Sequence, residues 1–427
     1  MADTLAKPTK TNWRSIKMIR LCTATFALGA LLAVPALADC GIPEGSVRIL
    51  SNSFSSLTVV GKAAEECASP TVTVTKNQTT EHDKLQGPAL TANPAEYTVA
   101  IISNSSLTAL LNEGLVRPMD DLVAEYGQQL KPNQLIKVDG KVVAIAFMAN
   151  AQHFFYREDI LAKAGVPVPT TYEDVLTAAE AIRAKGLMKY PLAGTYKPDW
   201  DLAEEFVNMY FGYGGSFFEP GTAKATINNE KAVKALEMMK ALSSYMNPEF
   251  MTYDTESIVP IWDAGEVAMA NLWGSRASSF LPESSNAPEI AKLTRMAAAP
   301  TVGGGTTPAT TVWWDGFTIA KNITDVDAEA SFRTMMHAVS IDMAKANPNV
   351  AVWLIDGYEP TAAAVGVLGS VKGGATAYPM DPFMGYMHTA IGTNISKFLL
   401  GDETPKQALA DATKSYTTAA TEAGYLK

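Results

Sequence analysis

Short apolar runs that end in small polar residues and hand over to helix-spaced segments recur along this chain, and that recurrence restricts its fold more than any other feature. Val47-Arg48-Ile49-Leu50 reads as a buried strand ending in Ser51-Asn52-Ser53, and Leu57 to Ala68 then has helical spacing. Thr71 to Thr75 alternates Val with Thr as a strand does, and Glu81 to Leu90 returns to helix. Tyr97 to Ile102 is a third strand, closed by Ser103-Asn104-Ser105-Ser106 and followed by a helix to Glu113 that Gly114 caps. Strands alternating with helices at this spacing predict an α/β fold with a mostly parallel sheet covered by helices on both faces. Such sheets bind ligands beyond the carboxyl ends of their strands, where the serines and asparagines after Leu50 and Ile102 stand. Helix capping is the alternative role for these residues.

A second block follows the apolar run Lys141 to Phe147. Phe154-Phe155-Tyr156 is a strand candidate, Asp159 to Ala164 a short helix closed by Gly165, and Thr171 with Asp174 a capping box for the next helix. Helical segments are predicted over Trp200 to Tyr210, Asn229 to Tyr245, Ser257 to Asp263, Ala328 to Met343 and Tyr386 to Leu399. Short strands are predicted at Val267 to Ala270 and Gly316 to Ile319. Two stretches of this kind, in a chain longer than one core usually serves, point to two α/β lobes.

The first forty residues bear on the compartment. Lys7, Lys10, Arg14, Lys17 and Arg20 precede an apolar run from Leu21 to Pro35 that ends in Ala36-Leu37-Ala38, the pattern of a secretion signal. The run of roughly 15 residues is short for about 30 Å of hydrocarbon. Residues 1–38 are therefore expected to be removed, leaving Asp39 first. Their loss takes five positive charges and one negative, Asp3, and moves the formal net charge from −10 to −14. An acidic chain with no basic run beyond the signal excludes nucleic acid as a partner. Cys40 and Cys67 remain. In an oxidising compartment they can form one disulfide, two unpaired thiols being the alternative.

No catalytic constellation stands out. His82, His153, His337 and His388 form no His-x-Glu or HExxH pattern, and no P-loop occurs. Asp325, Asp327 and Glu329 alternate but lack the glycine and terminal glutamate of a calcium hand, so they read as a helix start. A glycosidase would need two carboxylates about 5–9 Å apart across a sugar cleft. No such pair rises above the background of 44 acidic residues. The expectation is a binding protein with no cofactor and no metal.

Several segments resemble the family 1 extracellular solute-binding proteins, the group of ABC-importer receptors that includes the maltose receptor. They are Thr108 to Leu122 (helix, then Gly114-Leu115-Val116-Arg117-Pro118-Met119-Asp120-Asp121-Leu122), Asp139 to Ala146, Phe155 to Ile160 and Ala164 to Asp174, with Tyr172 where the family usually has Trp. Gly214 to Phe218 and Trp262 to Met269, running into Trp273, complete the series. The resemblance implies a two-lobed periplasmic-binding-protein fold (type II), with a solute between the lobes and three crossings, near Phe147 to Asn150, Trp314 to Ile319 and Val352 to Val367. The lobes would comprise 39–148 plus about 318–355, and about 149–317 plus about 356–427. It implies a monomer that captures a carbohydrate or polyol and delivers it to ABC permease transmembrane subunits. A signalling receptor of the same fold and a glycoside hydrolase are the alternatives. One departure matters: Phe383-Met384-Gly385 stands where the maltose receptor has adjacent stacking aromatics, which favours a solute of mono- to disaccharide size.

Candidate ligand residues follow from residue type and place. Trp273 offers an indole face to the C–H face of a sugar ring, with Asn271 and Arg276 beside it. Trp313, Trp314 and Asp315 form a second group. Two consecutive tryptophans in extended chain cannot both point one way, and Trp314, next to Asp315, is the favoured cleft residue. Tyr196, Asp199 and Trp200 form a third. His153 lies near the first crossing, and Ser51, Phe54, Glu81 and Asn104 are the first-lobe candidates.

Overall fold

A computed structural model describes residues 40–427. The signal sequence and its cleavage after Ala38 lie outside the described residues. Among the described residues there are twelve strands: β1 Gly45–Ser51, β2 Val72–Gln78, β3 Val99–Ser103, β4 Leu135–Val138, β5 Lys141–Asn150, β6 Gln152–Arg157, β7 Leu192–Ala193, β8 Met269–Trp273, β9 Thr294–Ala297, β10 Thr311–Ile319, β11 Val352–Trp353 and β12 Thr376–Ala377. They form two sheets. The larger has the order β11-β5-β10-β3-β1-β2, with β4 on β5 and β12 on β10; the smaller has the order β7-β8-β6-β9.

The expectation of a mostly parallel sheet is corrected. β1 is parallel to β2 and β3, which helical crossovers join to it, but β10 is antiparallel to both β3 and β5. In the smaller sheet β6 is antiparallel to both its neighbours. The cause is connectivity. β10 enters the larger sheet after an excursion through the smaller one, so no βαβ crossover sets its direction.

Both faces of the larger sheet are covered, and the period of two sorts its side chains. Ile101 of β3 packs with Val47, Leu57, Val60, Phe332 and Met335, beneath the Ser55–Glu65 and Asp325–Ala338 helices. Its neighbours Ala100 and Ile102 pack on the opposite face with Leu90, Leu107 and Leu110. Burying such a leucine contributes about 1.5–3 kcal/mol. The second core surrounds the Trp200–Gly212 helix, buried nearly all round, with Phe206, Tyr210, Met239, Ile391 and Tyr416.

Local signals behave as their chemistry requires. Thr171 Oγ1 accepts from the Asp174 N–H at 3.0 Å while the Asp174 carboxylate accepts from the Thr171 N–H at 3.1 Å. Gly165 closes the Glu158–Ala164 helix at φ +71. Thr324 caps the helix that begins at Asp325, as read from its acidic start. The single helix expected from Ala328 to Met343 is two, because Ser340 caps a new one, Ile341–Ala346. Cys40 and Cys67 are joined in a disulfide, which ties the first described residue to the turn after the Ser55–Glu65 helix. Among the described residues no helix is long and apolar enough to cross a membrane.

Candidate functional site

Only Ala151 separates β5 of the larger sheet from β6 of the smaller one. A cavity of about 590 Å³ opens beside this junction. The larger sheet supplies Asn52 and Phe54 after β1, Thr80 to Lys84 after β2, Ser103 at the end of β3, and Trp313 and Asp315 from β10. The smaller sheet and its helices supply Trp273, Ser275, Arg276, Trp200, Asp201 and the Asp254–Glu256 helix start. The polar ends of strands thus converge from two sheets, as the binding rule for open α/β sheets anticipates.

One wall is an indole cluster. The rings of Trp200 and Trp273 lie 6.0 Å apart, Trp200 and Trp313 5.6 Å, and Trp273 and Trp313 5.6 Å at 86°. Tyr378 packs on Trp313 at 4.0 Å, and His388 on Trp200 at 5.1 Å. A buried polar network anchors this wall from behind. The Trp313 Nε1–H donates to Glu204 at 3.0 Å, and Thr311 Oγ1 lies 2.6 Å from the same carboxyl oxygen and 2.8 Å from Asn208 Oδ1. Asn208 and Asn271 both donate to Gln152 Oε1, at 2.9 and 3.0 Å. Gln152 donates to Thr195, which donates to Glu205 at 2.7 Å. Burial pushes Glu204 up to about 8 and Glu205 up to about 7, against the hydrogen bonds that favour their ionised forms.

The rest of the lining is charged. Arg276 pairs with Glu256 at 2.5 Å, donates to Ser275 Oγ at 3.0 Å and sits 4.9 Å over the Phe54 ring. Asp315 is pushed up to about 7 by burial, partly offset by Arg276 and reinforced by Asp83. Asp201, pushed up to about 6 by burial, accepts from Thr255 Oγ1 at 2.9 Å. Lys84 and Glu81 pair at 2.5 Å, and Asp199, from the smaller sheet's side, adds to the stabilisation of the Lys84 ammonium.

The candidate residues divide. Trp273, Trp313, Trp200, Arg276, Asp315, Phe54 and Glu81 line the cavity. The preference for Trp314 is corrected. Thr311, Trp313 and Asp315 share one face of β10, and Trp314 packs on the other against the Leu107 and Leu110 core. Tyr196 is a core residue, 1% exposed, because the strand before it buries its ring beside Phe250. Asn271 lies behind the cavity in the Gln152 network. His153 is sealed at the sheet junction, its ring stacked on Phe155 at 4.3 Å and held down to about 4 by burial. Ser51 and Asn104 are buried and serve the backbone: Ser51 Oγ donates to the Asn52 carbonyl, and Asn104 Nδ2 donates to the carbonyls of Val312 and Tyr378. Asp199 stands exposed at φ +82 ahead of the Trp200 helix and makes no side-chain cap bond. Sequence reasoning missed Asp83, Lys84, Asn150, Asp201 and Glu256, whereas Asn52 stands in the polar stretch after Leu50 that it marked. The rule that pointed to Ser51 at the end of β1 applies equally to the helix start after β2 and would have reached Asp83 and Lys84.

Comparison with known proteins agrees with this architecture. The Maltose-bound MalE3 structure of T. maritima superimposes with a TM-score of 0.75 at 18% identity, covering 88% of this chain and 99% of that one. A solute-binding protein of Agrobacterium radiobacter in complex with ribitol gives 0.75 at 20% identity, over 88% and 99%. One from Agrobacterium vitis with bound D-mannitol gives 0.74 at 20%, over 90% and 100%. In sequence, a protein of Deinococcus radiodurans named "Probable ABC transporter-binding protein" is 30% identical over 183 residues, a match spanning 42% of this chain and 43% of that relative. The family model described as bacterial extracellular solute-binding protein matches residues 51–352. With most of its length matched and the two-sheet fold in place, this chain belongs to the bacterial extracellular solute-binding protein family.

Proposed function

We propose that this protein is the periplasmic receptor of an ABC importer, capturing a carbohydrate or polyol of mono- to disaccharide size between its lobes and presenting it to the permease subunits. The observation that carries the reading is that the indole cluster of Trp200, Trp273 and Trp313 lines, together with Asp315, Asp201 and Arg276, a cavity of about 590 Å³. That size falls within the range of about 300–1,000 Å³ common for small-molecule sites. Indole faces take the C–H face of a sugar ring, and carboxylates accept its hydroxyl protons. A site built for hydroxyls rejects analogues lacking them, because its own polar groups would be left unpaired. The solutes named for the similar structures (maltose, ribitol and mannitol) fall in the same chemical class. The proposed lobes are 39–148 with about 318–355, and about 149–317 with about 356–427. Closure between them needs a solute that favours the closed state, and it needs no cofactor and no bond-making step.

Thermal-shift screening of sugars, polyols, sugar acids and amino acids tests the reading. A ligand at 100 times its Kd stabilises the folded state by about 2.7 kcal/mol. Trp200→Ala, at a ring 39% exposed, and Trp273→Ala, at a ring 7% exposed, should each weaken a hit at least tenfold, about 1.4 kcal/mol. Folded variants that bind as tightly as wild type would remove the site assignment, and a response confined to amino acids would remove the solute class.

A further inference from the structure

The charges around the cavity do not balance. Its lining holds six carboxylates, Glu81, Asp83, Asp201, Asp254, Glu256 and Asp315, against two strong bases, Lys84 and Arg276. Three of the acids are neutralised: Glu81 by Lys84 at 2.5 Å, Glu256 by Arg276 at 2.5 Å, and Asp254 by Lys197 at 2.9 Å. Among the described residues no lysine or arginine lies within ion-pair distance of the other three. Asp83 has only the His82 ring, at 3.1 Å, whose burial disfavours its charged form. Asp201 accepts from Thr255 and feels Lys197, but that ammonium is already bonded to Asp254. Asp315 feels Arg276, but that guanidinium is already bonded to Glu256 and Ser275.

These three acids also stand close enough to other acids to repel them. Asp83 disfavours ionisation of Asp315, and Asp254 disfavours ionisation of Asp201. Holding like charges in a shielded cavity costs free energy that a bound cation recovers. The acids flank the indole wall. Asp201 follows Trp200 directly, and Asp315 shares a face of β10 with Trp313. Indole faces attract cations through their quadrupole, most strongly when water is excluded.

We infer that the solute carries an ammonium group, as an amino sugar or an amino polyol does, seated between the indole cluster and the unpaired carboxylates of Asp315 and Asp201. This inference rests on the carbohydrate reading above and narrows it. A sugar acid is disfavoured by the same imbalance, since its carboxylate would join the acids that already lack partners.

Calorimetric titration with matched pairs separates the two levels of the argument. D-glucosamine is compared with D-glucose, and 1-amino-1-deoxy-D-sorbitol with D-sorbitol, at neutral pH on the full-length secreted protein. The expected result is binding at least tenfold tighter for an ammonium member than for its neutral partner. Asp315→Asn and Asp201→Asn should each weaken the ammonium member at least tenfold more than they weaken its neutral partner, whose hydroxyls use the same oxygens. Both variants should melt no lower than wild type, since each removes a repelling charge. Neutral members binding as tightly as ammonium members, or a preference that survives both substitutions, would overturn the inference and leave the carbohydrate reading standing. Binding of amino acids with no response to any sugar or polyol would overturn both.

Discussion

Gly392 and Gly385 lie on the same helix, Met384–Asn394, and the same substitution should have opposite effects at the two positions. A Cβ at Gly392 would stand 2.0 Å from the Asp199 carbonyl oxygen and 2.6 Å from its carbonyl carbon, whereas a Cβ at Gly385 would meet nothing within 4 Å. An ordinary carbon–oxygen contact needs about 3.3–3.6 Å, so Gly392→Ala forces the two helices apart by more than 1 Å. The obstructing atoms are backbone, held by the Ala203 N–H to Asp199 carbonyl bond and by the Asp199 N–H to Gly392 carbonyl bond, and no rotamer change relieves them. Overpacking typically costs about 1–3 kcal/mol, and a backbone obstruction belongs at the upper end. Gly385→Ala instead removes unfolded-chain freedom and gains up to about 1 kcal/mol. Urea unfolding with a shared m-value should therefore place the two variants about 3–4 kcal/mol apart, with wild type between them. The displaced segment carries Trp200, so Gly392→Ala should also weaken ligand binding while Gly385→Ala leaves it unchanged. A Gly392→Ala midpoint equal to wild type, or above that of Gly385→Ala, would refute the packing argument.

Loss of the Cys40–Cys67 bond by Cys67→Ser should destabilise the protein by about 3.5 kcal/mol, the chain-entropy value for a 27-residue separation. Thiol titration of the unfolded, unreduced protein lacking residues 1–38 should find no free cysteine, and finding two would contradict the bond. Burial raises Glu204 to about 8, so above its ordinary 4.5 the unfolded chain binds fewer protons than the folded one. Stability from this group is therefore full below about 4.5, falls as pH climbs to about 8 and is level beyond it. Glu204→Gln keeps the acceptor for Trp313 without the titration and should flatten that slope, gaining most relative to wild type at pH 8; parallel pH profiles would show that Glu204 ionises freely.

Much of this protein was legible in local chemistry. The alternation of apolar runs with helix-spaced segments marks the α/β class. Thr171 with Asp174, Gly165 and the acidic start at Asp325 mark helix ends, because capping depends on residues only a few positions apart. The aromatic and charged groups at 199–201, 273–276 and 313–315 mark the segments that meet at the cavity. What tertiary structure decided is which side of each segment meets it. A period of two says that Trp313 and Trp314 point in opposite directions, but the layer that covers each face of β10 selects Trp313 for the cavity and Trp314 for the core. The direction of β10 depends on a return from the second sheet that no local pattern records. The burial of Glu204, Glu205, His153 and Tyr196 arises from helices and strands far away in the chain, and burial is what sets their protonation and removes them from ligand contact. Side-chain type and near-neighbour spacing are properties of the sequence; facing, depth and field are sums over everything packed around a residue, and they exist only once the chain has folded.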